Sequence, residues 1–420
     1  MSRLLLDDIK ASGAGSELRN AIIQTTDFMI HLSNNISTDI YSQRQRYWEA
    51  LSAAVTTNLD HGNITCEFGY ISEDEDDILS DQELLDIALV GAACARDTDL
   101  IQSLLGKGAD IDTQNENFGN PLYISVAQHI EESVVLLLEN RAMILAHEES
   151  LRTALHEAAI QGAGNLLRML IRQEDADLNC RDYDGRTPLS FAAEEGYLDI
   201  VQVLADHDST ELDDKDAGGR TPLNYAVLSG HTEVVRFLLS SPDINPEIRD
   251  NESNTPIIHA AELGHRDVVE CLANCDAVVA DRRGDNGRTA LSYAAEAGRE
   301  AVVDYLLKRG DVVADKADYA RRTPLSYAAK KGHAAIVKLL LDRDDVEPIN
   351  LDYNSGWTPL VHAIYNCHDE TVELLLNRDT TFIPEMLNPP WPVLARTSEG
   401  IRNRLITEYE KITGRVWGEG

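Results

Sequence analysis

The chain has 420 residues, 43% of them hydrophobic, and its formal net charge is -35, from 37 lysine and arginine against 72 aspartate and glutamate residues. This length exceeds what one globular core usually supports, so it predicts either several domains or a repeat array. The acidic excess repels phosphate, which argues against nucleic acid or an anionic membrane surface as the partner and favours a basic partner.

We expect no secretory signal in the N-terminal sequence. It turns acidic after three leucines, between Met1 and Asp8, and no apolar run in the chain is long enough to span a membrane. Six cysteines are scattered without a disulfide pattern, at Cys66, Cys94, Cys180, Cys271, Cys275 and Cys367. We therefore expect reduced thiols and a cytoplasmic or nuclear location.

Residues 1–71 are expected to form an N-terminal helical region, because apolar residues recur at helical spacing between residues 16 and 59. Two interpretations stay open for this region. It is either a cap packed on the repeats that follow or an independent module for partner binding or oligomerisation. Residues 72–80 begin with a run of acidic residues and are interpreted as a solvated linker.

Residues 81–380 contain an internal repeat. A threonine followed by proline or alanine and then by leucine or isoleucine recurs every 34 or 35 residues, at Thr153, Thr187, Thr221, Thr255, Thr289, Thr323 and Thr358. A series of leucines keeps nearly the same step, 33 to 35 residues, at Leu104, Leu137, Leu170, Leu204, Leu238, Leu272, Leu306, Leu340 and Leu375. Two series with one period indicate a structural unit present in about nine copies.

One unit from the middle of the array predicts two antiparallel helices. Gly185 suits a turn, Thr187 can cap a helix, and Pro188 fits the first helical turn. Gly196 ends this helix, and residues 197–204 have the apolar period of a second one. Neither helix can bury its apolar side alone, so neighbouring units must stack.

At these residues the sequence resembles the ankyrin repeat, whose core is Asp-x-x-Gly-x-Thr-Pro-Leu-His-x-Ala-Ala. The version from Thr323 to Ala329, with serine in place of histidine, is similar to the ankyrin arrays of filamentous fungi. The resemblance implies an all-α solenoid of about nine helix-turn-helix repeats with an N-terminal helical cap and a short C-terminal helix. It also implies a scaffold that binds a partner protein or peptide in a concave groove and at the fingertips, the turns that precede the first helix of each repeat.

Residues 381–420 are expected to form a proline-rich break and a C-terminal capping helix. Two prolines precede Trp391 and one follows it, which stops any helix there, and the stretch from Ser398 to Ile412 again has helical character.

Aligned repeats place rings at one position, just before the small-residue pair of the first helix: Phe191, Tyr225, His259, Tyr293, Tyr327 and His362. Stacked repeats bring equivalent positions side by side, so these residues should form a ring ladder beside the concave face. Either the rings pack between neighbouring first helices, or they line a groove that takes a peptide or a small molecule.

Charged residues follow one turn further along the first helices. Glu194, Glu195, Glu262 and Glu296 favour a cation, whereas Lys330 and Lys331 favour an anion. Tyr183, Tyr319 and Tyr353 are expected to be exposed anchors at the fingertips. Arg186, Arg220, Arg288 and Arg322 recur with the repeat and are expected to be structural.

The sequence contains none of the catalytic motifs with a known mechanism: no phosphate-binding glycine loop, no Gly-x-Ser-x-Gly and no His-Glu-x-x-His. We predict a protein without catalytic residues, metal or cofactor, and leave its oligomeric state open. The alternative is an unconventional enzyme or small-molecule-binding protein in which His259 or His362 works with Glu262 or Glu296 as acid and base.

Overall fold

The computed structural model describes residues 81–95, 97–114, 119–145, 151–353, 356–381, 383–384 and 397–417. Within these residues it contains 19 α-helices, one short 3-10 helix and no β-strand. The expected N-terminal helical region, the acidic linker and most of the proline-rich break lie outside the described residues. The all-α prediction is confirmed for the part that the structure describes.

The described residues fall into two compact units, and the first reaches Ala192 and includes Asp199–Glu211. Its helices are α1 (Asp81–Ala95), α2 (Thr98–Gly106), α3 (Pro121–Ala127), α4 (Glu131–Glu139), α5 (Ala154–Ile160) and α6 (Gly164–Leu170). Two further helices, α7 (Pro188–Glu195) and α8 (Leu198–Ala205), each contribute residues to both units.

The second unit contains Ala193–Leu198 and continues from Leu212. Its helices are α9 (Pro222–Ser229), α10 (Thr232–Leu239), α11 (Pro256–Leu263), α12 (Arg266–Ala273), α13 (Ala290–Glu296), α14 (Glu300–Leu307), α15 (Pro324–Lys331), α16 (Ala334–Leu341), α17 (Pro359–Tyr365), α18 (Asp369–Arg378) and α19 (Glu399–Thr413).

Each unit has two layers of helices. In the second unit the first helices of the repeats (α9, α11, α13, α15 and α17) pack side by side, and so do the second helices (α10, α12, α14, α16 and α18). The first unit repeats this arrangement with α1, α3 and α5 in one layer and α2 and α4 in the other. Alanine pairs such as Ala294–Ala295 and Ala328–Ala329 are fully buried, so their small side chains let the first helices approach closely.

The first helices begin at capping residues. The hydroxyl groups of Thr221, Thr289, Thr323 and Thr358 each accept a hydrogen bond from the backbone N–H three residues later. Asn120 makes the same bond at 2.7 Å to the N–H of Tyr123, in the repeat where Asn-Pro replaces Thr-Pro. These bonds satisfy N–H groups that lack a partner inside the helix, which confirms the cap predicted for this position.

Glycine ends several first helices in the left-handed conformation. Gly230 has φ +78°, and a Cβ there would lie 2.8 Å from the ring of His265. Nε2–H of His265 donates to the carbonyl oxygen of Leu228 at 3.1 Å. The glycine therefore makes room for a histidine that binds the end of the preceding first helix.

The C-terminal helix α19 packs against α18. Ile401 and Leu405 are buried, and Arg404 forms an ion pair with Glu373 and donates to Asn377 at 2.6 Å. Helix α19 therefore covers apolar surface of the last helix pair. None of the helices in the described part of the chain has the length and apolar character needed to cross a membrane.

Candidate functional site

The ring ladder is buried. Its six members lie on α7, α9, α11, α13, α15 and α17, and their exposed fractions range from 3% at Tyr327 to 8% at Tyr293. Phe191 belongs to the first unit and the other five rings to the second. At this exposure the ring faces pack against protein, so a partner meets only the edges of these side chains.

The polar ends of the rings are bound by aspartates of the fingertips. Tyr225 donates to Asp216 at 2.5 Å and Tyr327 to Asp318 at 2.7 Å. Nε2 of His259 lies 2.6 Å from Asp250, and Nε2 of His362 lies 2.7 Å from Asp352. Each of these four rings is tied to the fingertip of its own repeat.

Tyr293 differs from these four, because Gly284 stands where the other repeats have the aspartate. Its hydroxyl group makes a longer contact, 3.4 Å, to Oδ1 of Asn254. Burial raises the pKa of the Tyr293 phenol, which therefore stays protonated at neutral pH.

The same aspartates shape the fingertips. Oδ1 of Asp318 accepts hydrogen bonds from the backbone N–H groups of Ala320 at 2.9 Å and Arg322 at 2.8 Å. Oδ1 of Asp250 does the same for Glu252 at 3.0 Å and Asn254 at 2.9 Å. In each of these repeats one carboxylate thus binds both the turn and the ring, so the ring and the fingertip of that repeat are held together.

Recurring arginines stack on the ladder. Cζ of Arg288 lies 3.8 Å from the ring centre of Tyr293 and 4.2 Å from that of Tyr327, and its guanidinium pairs with Glu296 at 2.5 Å. Cζ of Arg186 lies 3.8 Å from the ring centre of Phe191. This stacking agrees with the structural role expected for these arginines. The ion pair with Arg288 also occupies the carboxylate of Glu296.

The histidines of the ladder have aspartate partners, whereas the enzyme alternative pairs them with glutamates. Burial lowers the pKa of His362 although Asp352 accepts its hydrogen bond, so the ring is neutral at pH 7. Glu262 is exposed on the last turn of α11. In the described part of the chain, no three histidine, cysteine, aspartate or glutamate residues lie together as a metal would require.

Charged residues at the ends of the first helices are accessible. Glu195, Glu262, Lys330 and Lys331 are exposed, and Glu194 is half-buried. All five belong to the second unit. We call them the first-helix surface.

The fingertip tyrosines are strongly exposed. Tyr183 of the first unit is 79% exposed, and Tyr319 and Tyr353 of the second unit are 72% and 67% exposed. Aromatic side chains at such positions can bury a large area against a partner. The fingertips and the first-helix surface therefore both offer accessible side chains for contact.

Neighbouring fingertips of the second unit are joined through their backbones. The N–H of Tyr319 donates to the carbonyl oxygen of Asn286 at 3.0 Å, and that of Tyr353 donates to Ala320 at 2.8 Å. These residues and Arg322 line an open pocket of about 400 Å³. The backbone that carries these two tyrosines is therefore held in place by hydrogen bonds to the neighbouring fingertip.

Sequence reasoning missed the histidines that bind the ends of the preceding first helices. Besides His265, they are His231, His333 and His368, which contact the carbonyl oxygens of Glu194, Glu296 and Lys330 at 2.8, 3.0 and 3.1 Å. The signal was present, because Gly-His recurs with the repeat, at Gly230–His231, Gly264–His265 and Gly332–His333. These histidines join successive repeats.

Comparison with protein families gives one result. A family model described as "Ankyrin repeats (3 copies)" matches residues 89–182, 164–250, 242–317 and 311–383, which together cover well over half of the chain. A comparison with curated proteins gave no match.

Proposed function

The chain belongs to the ankyrin-repeat family, and we propose that it is a scaffold that binds a partner protein or peptide through the groove beside its first helices and through its fingertips. Ankyrin repeats are in general protein-interaction modules. What we propose for this chain is the surface that it uses and the chemistry of its partner.

The observation that carries this proposal is the separation of rigid and accessible groups in the second unit. The rings of the ladder are buried and four of the five in this unit are bound by aspartates, while most of the first-helix surface and the fingertip tyrosines are exposed. A surface fixed in advance loses little conformational entropy on binding, which favours recognition of a partner.

The charge of the first-helix surface favours a basic partner opposite its carboxylates. Glu195 and Glu262 are exposed, and no ion pair engages either of them within the described residues. A lysine or arginine of the partner would gain attraction from both these groups and the net charge of -35.

The fingertip tyrosines supply the second part of the proposed surface. Exposed aromatic side chains on a rigid turn are typical anchors of protein interfaces. In the second unit these anchors are Tyr319 and Tyr353. Tyr183 has the equivalent role at a fingertip of the first unit.

Four free cysteines among the described residues, Cys180, Cys271, Cys275 and Cys367, support a proposed cytoplasmic or nuclear location for this scaffold.

Affinity capture from extracts of the source cells, followed by mass spectrometry, tests the proposal. The double variant Glu195→Lys/Glu262→Lys should lose the partners that wild type retains, because it reverses the charge of the surface without touching buried groups. Glu139→Lys, an exposed change at the end of second helix α4, is the matched control and should retain them. Identical partners for wild type and the double variant would contradict the proposed surface.

A further inference from the structure

One repeat differs in charge from the rest of the chain. Residues 319–341 form the longest stretch of the sequence without aspartate or glutamate, and they contain five lysine and arginine residues. The stretch covers one fingertip and helices α15 and α16. In a chain of net charge -35, it is a local positive region.

Two cations of this repeat, one at the fingertip and one in the last turn of α15, lack an acidic partner among the described residues. Arg322 pairs with Asp318 at 2.9 Å, and Lys331 lies 3.9 Å from Glu296. Arg321 and Lys330 are exposed, and among the described residues no carboxylate lies within ion-pair distance of either. Their charges are available to a ligand.

Arg321 also has a strained backbone. Its φ is +63°, a conformation that side chains larger than those of glycine, asparagine and aspartate rarely adopt. Equivalent positions hold Gly185, Gly219 and Gly287, and Ser253 in one further repeat. Glycine would serve this turn better, so the arginine side chain is placed here at a cost in backbone energy.

The surroundings of Arg321 hold its guanidinium ready for a carboxylate. Its Cζ lies 4.4 Å from the ring centre of Tyr353. Tyr353 and Tyr319 both line the open pocket between these fingertips, together with Arg322. An arginine fixed by stacking keeps its planar N–H groups free to bind both oxygens of a carboxylate.

We propose that these fingertips bind an acidic peptide segment of a partner protein, with Arg321 binding an aspartate or glutamate carboxylate and Tyr319 and Tyr353 packing beside it. This deepens the proposed scaffold function, since it assigns a chemistry to part of the same surface. A short acidic peptide fits better than a nucleic acid, because a long phosphate chain would extend from this repeat onto the acidic remainder of the molecule.

Binding of a fluorescein-labelled hexaglutamate peptide, followed by fluorescence anisotropy at rising salt, tests the proposal on the full chain. Wild type should bind in a salt-sensitive manner. Arg321→Gly should weaken binding about tenfold, as expected for loss of a charge-assisted hydrogen-bonded contact. The same variant should melt at the wild-type temperature or above it, because glycine relieves the backbone strain.

Two controls make the result specific. Ser253→Gly relieves the same strain at a fingertip outside the positive repeat and should bind hexaglutamate like wild type. Glu262→Lys, which disrupts the first-helix surface, should bind it at least as tightly as wild type. These variants therefore distinguish failure of the groove proposal from failure of the acidic-peptide proposal.

Three results would overturn the proposal: wild type that does not bind hexaglutamate, Arg321→Gly that binds it as tightly as wild type, or Ser253→Gly that loses affinity equally. Tighter binding of a single-stranded oligonucleotide of the same charge would assign the site to nucleic acid instead.

Discussion

Single aspartates connect the ring ladder to the fingertips. Oδ2 of Asp318 accepts from Tyr327 while its Oδ1 accepts from two backbone N–H groups of the turn. Asp250 joins His259 to its own fingertip in the same way. A substitution of a buried ring should therefore alter the exposed turn, because the same carboxylate binds both, although the ring itself has little contact with solvent.

Tyr327→Phe should lower the free energy of unfolding by about 1–3 kcal/mol, because it leaves an oxygen of buried Asp318 without one of its donors. Tyr293→Phe is the matched control, since the hydroxyl group of Tyr293 makes only a 3.4 Å contact. Urea unfolding of both variants measures the difference. Equal losses in the two variants would show that the aspartate bond adds nothing.

His156 should make stability fall in acid. Burial lowers its pKa from the usual 6.5 to about 4, and this effect outweighs the hydrogen bond that the ring donates to the carbonyl oxygen of Arg186 at 3.0 Å, which favours the protonated ring. The unfolded state takes up a proton at higher pH than the folded state. Stability that is present above pH 6.5 is therefore lost as the pH falls toward 4, by roughly 3 kcal/mol.

His156→Ser tests this pH dependence, since serine occupies the equivalent position in other repeats, at Ser190, Ser292 and Ser326. Denaturation midpoints at pH 7 and pH 4.5 should differ less in the variant than in wild type. The same pH dependence in both proteins would rule out His156 as the source.

At the scale of the helix pair, the sequence predicts most of what the structure shows. Thr221, Thr323 and Thr358 cap their helices and the alanine pairs are buried, because caps and apolar spacing are local properties. The 34-residue step then predicts which helices are neighbours.

The candidate site was less predictable. The sequence places the rings in register but leaves open whether they face solvent, since that depends on partners in the fingertip. Asp216 precedes Tyr225 by nine residues in the chain, and only the folded turn brings its carboxylate within 2.5 Å of the phenol. The unusual backbone of Arg321 likewise appears only in the structure.

Gly230→Ala should destabilise the second unit. A left-handed backbone costs an alanine about 1–2 kcal/mol, and its Cβ would also displace the ring of His265. Gly218→Ala is the control, because a Cβ there lies no closer than 3.3 Å to its neighbours. Thermal melting should separate the two variants, and equal melting temperatures would show that the glycine–histidine contact is unimportant.

At the scale of the whole molecule, stability is built from contacts between adjacent helix pairs in each unit. Leu272 is fully buried in α12, so Leu272→Ala should cost about 2–5 kcal/mol. Since each repeat depends mainly on its neighbours, the variant should unfold in two stages. Leu263→Ala, at a partly exposed site, should behave like wild type, and a single sharp transition for Leu272→Ala would contradict this account.

The central claim is that partner proteins contact the first-helix surface and the fingertips of the second unit. Site-specific photo-crosslinking tests it most directly, with a benzophenone amino acid placed in turn at position 262, 319 or 139 and the products identified by mass spectrometry. Position 262 lies on the first-helix surface, 319 at a fingertip and 139 at the end of a second helix. The account predicts the same partner protein crosslinked at 262 and 319 and no crosslink at 139. Crosslinks at 139 alone, or none at 262 and 319, would contradict it.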